Sequence, residues 1–240
     1  MNKVSAIWRR ELKAFWYSPV AYIFIVVFLI IVTWLYFRGF FEQNNADLGP
    51  FFSILPAAFL FMLPTLTMRQ WAEERSSGTL ELLMTQPIRE WEAVAGKFLA
   101  GSSLLGVILL LTLPLTISVA AVSQNGVDPG AVAASYIGAL LLGMAYLAIG
   151  QWVSSLTVNQ IVAFILTFFL IGAFLLVGEA VVTYFSTGFF TPFLEYLGLN
   201  RHYVSMARGV IDTRDLLYYF SMIFLFLYLT TRAVESRKWS

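Results

Sequence analysis

Six long apolar stretches set the limits on what this chain can fold into. They lie at about 19–37, 50–68, 96–122, 131–153, 159–182 and 215–232. Each is close to the ~20 apolar residues that a helix needs to cross ~30 Å of hydrocarbon. Charged residues make up 12% of the chain, about half the ~25% usual in a soluble domain. With 59% hydrophobic residues and a mean hydropathy of +0.77, a soluble globular domain and a disordered chain are both excluded. The expected fold class is an all-α membrane protein with six transmembrane helices forming one domain over 1–240. The third stretch is longer than a span requires, so it should tilt, or bend at Pro114. There is no cysteine, which excludes disulfides and thiolate metal sites.

Residues 2–18 carry Val4, Ile7, Trp8, Leu12, Phe15 and Trp16 on one stripe, with Lys3, Arg9, Arg10 and Lys13 mostly off it. This pattern predicts an amphipathic helix in the membrane interface, and Ser18-Pro19 turns the chain into the bilayer. The apolar run at 19–37 is longer than a signal-peptide core and ends in Arg38-Gly39-Phe40-Phe41 with no small-residue cleavage pattern, so it reads as a retained span. Lys and Arg then set the orientation. Eleven fall in the N-terminal segment, the 69–97 region and the C-terminal tail; the other side holds four, Arg38, Arg201, Arg208 and Arg214. Positive charge stays on the cytoplasmic side, so both termini and the 69–90 segment are expected there.

That segment is the most polar part of the chain. Arg69, Glu73, Glu74 and Arg75 cannot lie in hydrocarbon, where each would cost ~2.5–3.5 kcal/mol at a helix centre. Gly78-Thr79 breaks the pattern, after which Leu80, Leu83 and Met84 recur on one helical face. Glu81 falls in the first turn, where the helix dipole favours a carboxylate. Pro87 closes the helix. A helix over 79–86 is far shorter than the ~12–15 residues that persist alone in water. It must rest on the membrane surface or on a partner protein.

On the outer side, 183–214 is too apolar for a solvated loop and too interrupted to span. Pro192, Gly198 and Gly209 divide it into two short helical pieces. These either cover the mouth of a pathway or form an interfacial aromatic belt. Asp212-Thr213 offers an N-cap for the last span. In the fourth span Gly138, Gly143, Ala145, Ala148 and Gly150 allow close helix approach, within the chain or against another subunit. The uncharged turn at Ser154–Val158 should be tight or buried.

Residues for covalent chemistry are scarce. The one histidine, His202, excludes paired-His metal sites and H-E-x-x-H, and its neighbours Arg201 and Tyr203 point to an outer interface position. There is no G-x-S-x-G elbow and no phosphate-gripping G-x-x-x-x-G-K-[ST] loop, so the chain does not itself hold ATP. Glu179 is the one clear acidic candidate inside a span, near its outer end, and reads better as a rim carboxylate than as a coupling acid. No catalytic, cofactor or metal site is expected, and no nucleic-acid partner.

The run Glu73-Glu74-Arg75-Ser76-Ser77-Gly78-Thr79-Leu80-Glu81-Leu82-Leu83-Met84-Thr85-Gln86-Pro87-Ile88 resembles the signature between the second and third spans of ABC-2 type permeases. Arg9 through Tyr22, and Leu48-Gly49-Pro50-Phe51-Phe52, resemble the gliding-motility-associated branch. The resemblance implies the type V exporter-like permease fold in a bacterial cytoplasmic (inner) membrane. It also implies a coupling helix that seats in a cytosolic ATPase subunit, where ATP and Mg would bind. Leu80, Leu83 and Met84 would be its buried knobs. Glu73, Glu74, Arg75, Gly78, Thr79, Glu81 and Pro87 would flank it as polar contacts, intramolecular pairs or ends. The family's outer hairpin would make Phe189, Phe190, Pro192, Phe193 and Tyr196 an outer gate. A second permease half, identical or paralogous, would complete the transporter, with an auxiliary periplasmic or membrane subunit left open. The alternative is an ATP-driven membrane scaffold that transmits force without moving a substrate.

Overall fold

The computed structural model describes residues 3–43, 47–79, 88–123, 126–177 and 191–236. Nine helices occur among them: α1 (Lys3–Tyr17), α2 (Pro19–Gln43), α3 (Gly49–Ser76), α4 (Glu90–Val122), α5 (Pro129–Leu156), α6 (Gln160–Leu176), α7 (Thr191–Leu197), α8 (Leu199–Ala207) and α9 (Thr213–Ser236). No strand is found among the described residues. Five helices, α2, α3, α4, α5 and α9, are long and apolar enough to cross a membrane. The described part of α6 is an apolar helix of 17 residues.

Local sequence explains most of the boundaries. Asp128 accepts from the Gly130 N–H and Asn159 from the Ile161 N–H, capping α5 and α6, and Asp212 does the same for α9 through the Arg214 N–H. Pro50 and Pro129 sit in first turns, where a missing N–H has no helical partner to lose. α4 stays helical on both sides of Pro114. Several boundaries differ from the expected spans, and α2 continues past residue 37 to Gln43. α3 continues past residue 68 to Ser76, and α4 starts at Glu90 rather than near 96. The polar residues extend the helices beyond the apolar windows because their charges find partners on neighbouring helices, described below.

α5 is the central helix, packed against α3, α4, α6, α8 and α9. Its small residues explain why. A Cβ on Gly138 would stand 2.8 Å from Met206 Cβ of α8, and one on Gly143 would stand 2.5 Å from Leu105 of α4. One on Gly150 would stand 2.2 Å from Thr67 Oγ1 of α3. Lipid offers apolar side chains little reason to leave it, so helices associate where backbones can approach closely. These glycines are therefore used for packing inside the chain. α3 and α5 run parallel: Phe52 meets Tyr136 at one end, and Trp71 meets Ser154 at the other.

The bundle thus has two distinct ends. At one, α7 and α8 fold across the starts of α3, α5 and α9. Tyr203 donates to the Phe52 carbonyl at 2.7 Å, Tyr219 to Leu199 O at 2.9 Å, and Ser135 to Ala207 O at 3.2 Å. At the other end α1, the last turns of α3, the first turns of α4 and the end of α9 converge. There Ile7, Trp71, Ala93, Val94 and Val234 form a small core of their own, with Ile88 against it.

Candidate functional site

The end of α3 is built as a firm stop. Ser77 is its C-cap, and Gly78 follows at φ +70°, a left-handed conformation that side chains with a Cβ adopt at a cost. The hydroxyls of Ser76 and Ser77 donate to the Glu73 carbonyl at 3.0 and 2.8 Å, and Thr79 donates to Glu74 O at 3.3 Å. The start of α4 is equally defined. The Glu92 carboxylate accepts from the Arg89 N–H at 2.8 Å, and Glu90 and Glu92 occupy the turn where the dipole favours them.

These two helix ends are tied by a buried cation. Lys97 of α4 is 2% exposed. Its ammonium donates to Glu74 Oε1 at 2.7 Å, to Gln70 O at 2.9 Å and to Glu11 Oε1 at 3.3 Å. Three donors meet three acceptors, which is how a buried lysine remains tolerable. The ammonium also lies 5.0 Å from the centre of the Trp71 ring. Arg10 reaches Glu11 at 2.7 Å and Glu74 at 3.4 Å, so α1 joins the network. Burial pushes the Glu11 carboxyl up, but the Lys97 ammonium and the Arg10 guanidinium outweigh it and hold it below its ordinary 4.5. α1 is further fixed on α4 by Trp8 Nε1, which donates to Ser103 Oγ at 3.0 Å. Ile7 also contributes, resting where a Cβ on Gly96 would be 2.7 Å from it.

A second set of bonds joins α3 to α5. Ser154 Oγ donates to Met68 O at 3.1 Å and accepts from the N–H groups of Trp71 and Ala72, a hydroxyl inserted into the ladder of α3. Arg75 donates to Ser155 O and Thr157 O at 3.0 and 3.1 Å, a cation on the free carbonyls that end α5. Gln151, fully buried, donates to Val94 O at 3.0 Å.

Of the residues singled out from sequence, Glu74 and Arg75 are therefore engaged within the chain. Glu73 is exposed on α3, and Gly78 and Thr79 form the exposed turn after it. Leu80, Glu81, Leu83, Met84 and Pro87 lie outside the described residues, as do Glu179, Phe189 and Phe190. Pro192 and Phe193 fall in α7, with only their backbone described. Tyr196 is half-exposed, its ring edge-on to His202 and Tyr218 at 5.2 and 5.7 Å. His202 is buried, stacked on Tyr218 at 3.9 Å. Its Nε2 donates to the Tyr196 carbonyl at 2.9 Å and its Nδ1 lies 2.7 Å from Asp215 Oδ1. The ring thus pins α7 and α8 to α9.

Sequence reasoning missed Lys97, which looked like one more loop charge. Its isolation among Ala93, Val94, Phe98 and Leu99 was the available signal, since a lysine there is buried only if paired. Ser154 was legible only as the start of a turn expected to be tight or buried, and Gln151 carried no signal beyond polarity.

The profile of the family described as ABC-2 family transporter protein matches residues 5–234. The chain belongs to the ABC-2 transporter family. It is a multi-pass membrane protein and a permease subunit of an ABC transporter, a class that works with an ATP-binding partner subunit. No curated protein matches the permease at a significant level.

Proposed function

We propose that the permease is half of an ATP-driven exporter, moved by a separate ATPase subunit through a coupling helix at 79–86. One observation supports this most directly. α3 and α4 reach past their apolar windows as a braced pair, and the 80–87 segment joins their ends. A force applied between them has a stiff route into α1 through Lys97 and into α5 through Arg75 and Ser154.

Nine of the lysines and arginines among the described residues lie at this end of the bundle: Lys3, Arg9, Arg10, Lys13, Arg69, Arg75, Arg89, Lys97 and Arg232. Four lie at the other. By the positive-inside rule the braced end faces the cytoplasm of a bacterial inner membrane. ATP and Mg then bind in the partner, and a second permease half, a copy or a paralogue, faces this one. An auxiliary subunit would add to this core. Leu80, Leu83 and Met84 enter the ATPase cleft, with Thr79, Glu81 and Pro87 around them. On the outer side Phe189, Phe190, Pro192, Phe193 and Tyr196 cover the exit. Within the family, the resemblance of Arg9 through Tyr22 and of residues 48–52 to the gliding-motility-associated branch supports reading the permease as one of its members.

The test is co-purification of the ATPase with the permease from detergent. Leu80→Asp with Leu83→Asp should release the ATPase while leaving the permease monodisperse. Full retention of the ATPase would remove the coupling assignment.

A further inference from the structure

A cleft of about 420 Å³ opens between α1, the start of α2 and the last turns of α3. Phe15, Ala21, Phe24 and Leu66 form its apolar part. On its polar side Lys97 pairs with Glu11 and with Glu74 Oε1, while Glu74 Oε2 is buried with no hydrogen-bond partner among the described residues. Two further charges line it, Arg69 and Glu73, and neither has an ion-pair partner among the described residues. They are four residues apart on α3, so they share a face with Cβ atoms about 5–6 Å apart. Gln70, 8% exposed, also lines the cleft with Oε1 buried and unpaired among the described residues.

Position argues for the occupant. The cleft lies at the α1–α2 elbow at Ser18, flanked by exposed Trp16 and Tyr17, the side chains that collect at headgroup depth. Beyond it α2 presents Tyr22, Ile23, Val26 and Val27 outward, an apolar surface for acyl chains. The two charges without an ion-pair partner among the described residues are one cation and one anion, one helical turn apart. That is the complement of a zwitterion with an N–H-bearing cation beside its phosphate.

We infer that this cleft binds one phospholipid with a primary ammonium headgroup, its phosphate on Arg69 and its ammonium on Glu73. The chains leave over Phe24 and α2. Bound there, the lipid bridges α1 to α3 beside the Lys97 network. This reading does not depend on the coupling assignment.

Native mass spectrometry of the delipidated, detergent-purified permease tests it, using dioleoyl phosphatidylethanolamine, phosphatidylcholine and phosphatidylglycerol. One ethanolamine lipid should bind about tenfold more tightly than the choline lipid, which has no N–H to donate. Arg69→Ala should weaken all three lipids at this site by about tenfold, and Arg69→Lys should restore most of the loss. Glu73→Gln should bring the ethanolamine lipid down to the choline level while leaving phosphatidylglycerol unchanged. Both side chains are exposed, and a size-exclusion profile matching the unaltered protein confirms that each variant folds. Equal binding of all three lipids with no effect of Glu73→Gln overturns the proposal, leaving ordinary annular lipid. So does equal binding of soluble phosphoethanolamine, which would make the occupant a free phosphate ester. Protection of Arg69 from guanidinium-modifying reagent by the ATPase subunit and not by lipid would also overturn it, making the cleft a protein contact.

Discussion

Lys97 Nζ lies 2.7 Å from Glu74 Oε1, joining the end of α3 to the start of α4 inside the protein. The same ammonium holds Glu11 of α1, so three helices meet on one charge. Lys97→Met leaves two carboxylates facing a lost cation. Breaking a buried pair costs about 3–5 kcal/mol, and partial exposure of both acids puts this case near the lower figure. Thermal unfolding in detergent should show a marked fall in midpoint. Combining Lys97→Met with Glu74→Met and Glu11→Gln should recover most of it, because the uncompensated charges go too.

Acid should loosen α1 by the same route. The Glu11 carboxyl is held below 4.5 in the folded protein, so its contribution is fully present above that value. It is lost as pH falls through the depressed folded value. Hydrogen exchange across 3–17 should therefore accelerate only below about pH 4.5. In Glu11→Gln that part of the pH dependence should vanish.

Gly78 offers a clean test of the stop at the end of α3. A Cβ there meets nothing within 4 Å, so any cost of substitution comes from its φ of +70° alone. Gly78→Ala should cost about 1–2 kcal/mol locally and raise the rate of proteolytic cleavage between 77 and 88. Gly78→Asn, which tolerates this conformation, should cleave nearly as slowly as the unaltered protein.

Two helix glycines should respond in opposite directions. Gly150→Ala places a methyl 2.2 Å from Thr67 Oγ1 and should destabilise by about 1–3 kcal/mol. Gly172→Ala in α6 meets nothing within 4 Å and should stabilise by about 0.5–1 kcal/mol, since alanine favours a helix interior. Midpoints of thermal unfolding, compared side by side, separate the two.

The outer cap rests on single bonds that can be removed one at a time. Tyr203→Phe deletes the hydroxyl that reaches Phe52 O and leaves a buried carbonyl unpaired. The loss should be about 1–3 kcal/mol, read as faster hydrogen exchange over 199–207 with α1 unchanged.

The sequence alone carried the helical class, the apolar windows and the polar break between the second and third of them. These are properties of short windows: the demand that lipid makes on a backbone and its side chains is met, or not, within about 20 neighbouring residues. The short outer helices were readable for the same reason, from Pro192, Gly198 and Gly209. The sequence did not show that α3 and α4 extend as helices into the polar stretch. Nor did it show that Arg75 would end on the last carbonyls of α5, or which way the small residues of α5 would face. Lys97 and Glu11 stand 86 positions apart, and Trp71 and Ser154 stand 83 apart. Whether a charge is buried or solvated depends on partners supplied by distant helices, and only their packing around α5 brings those partners within reach.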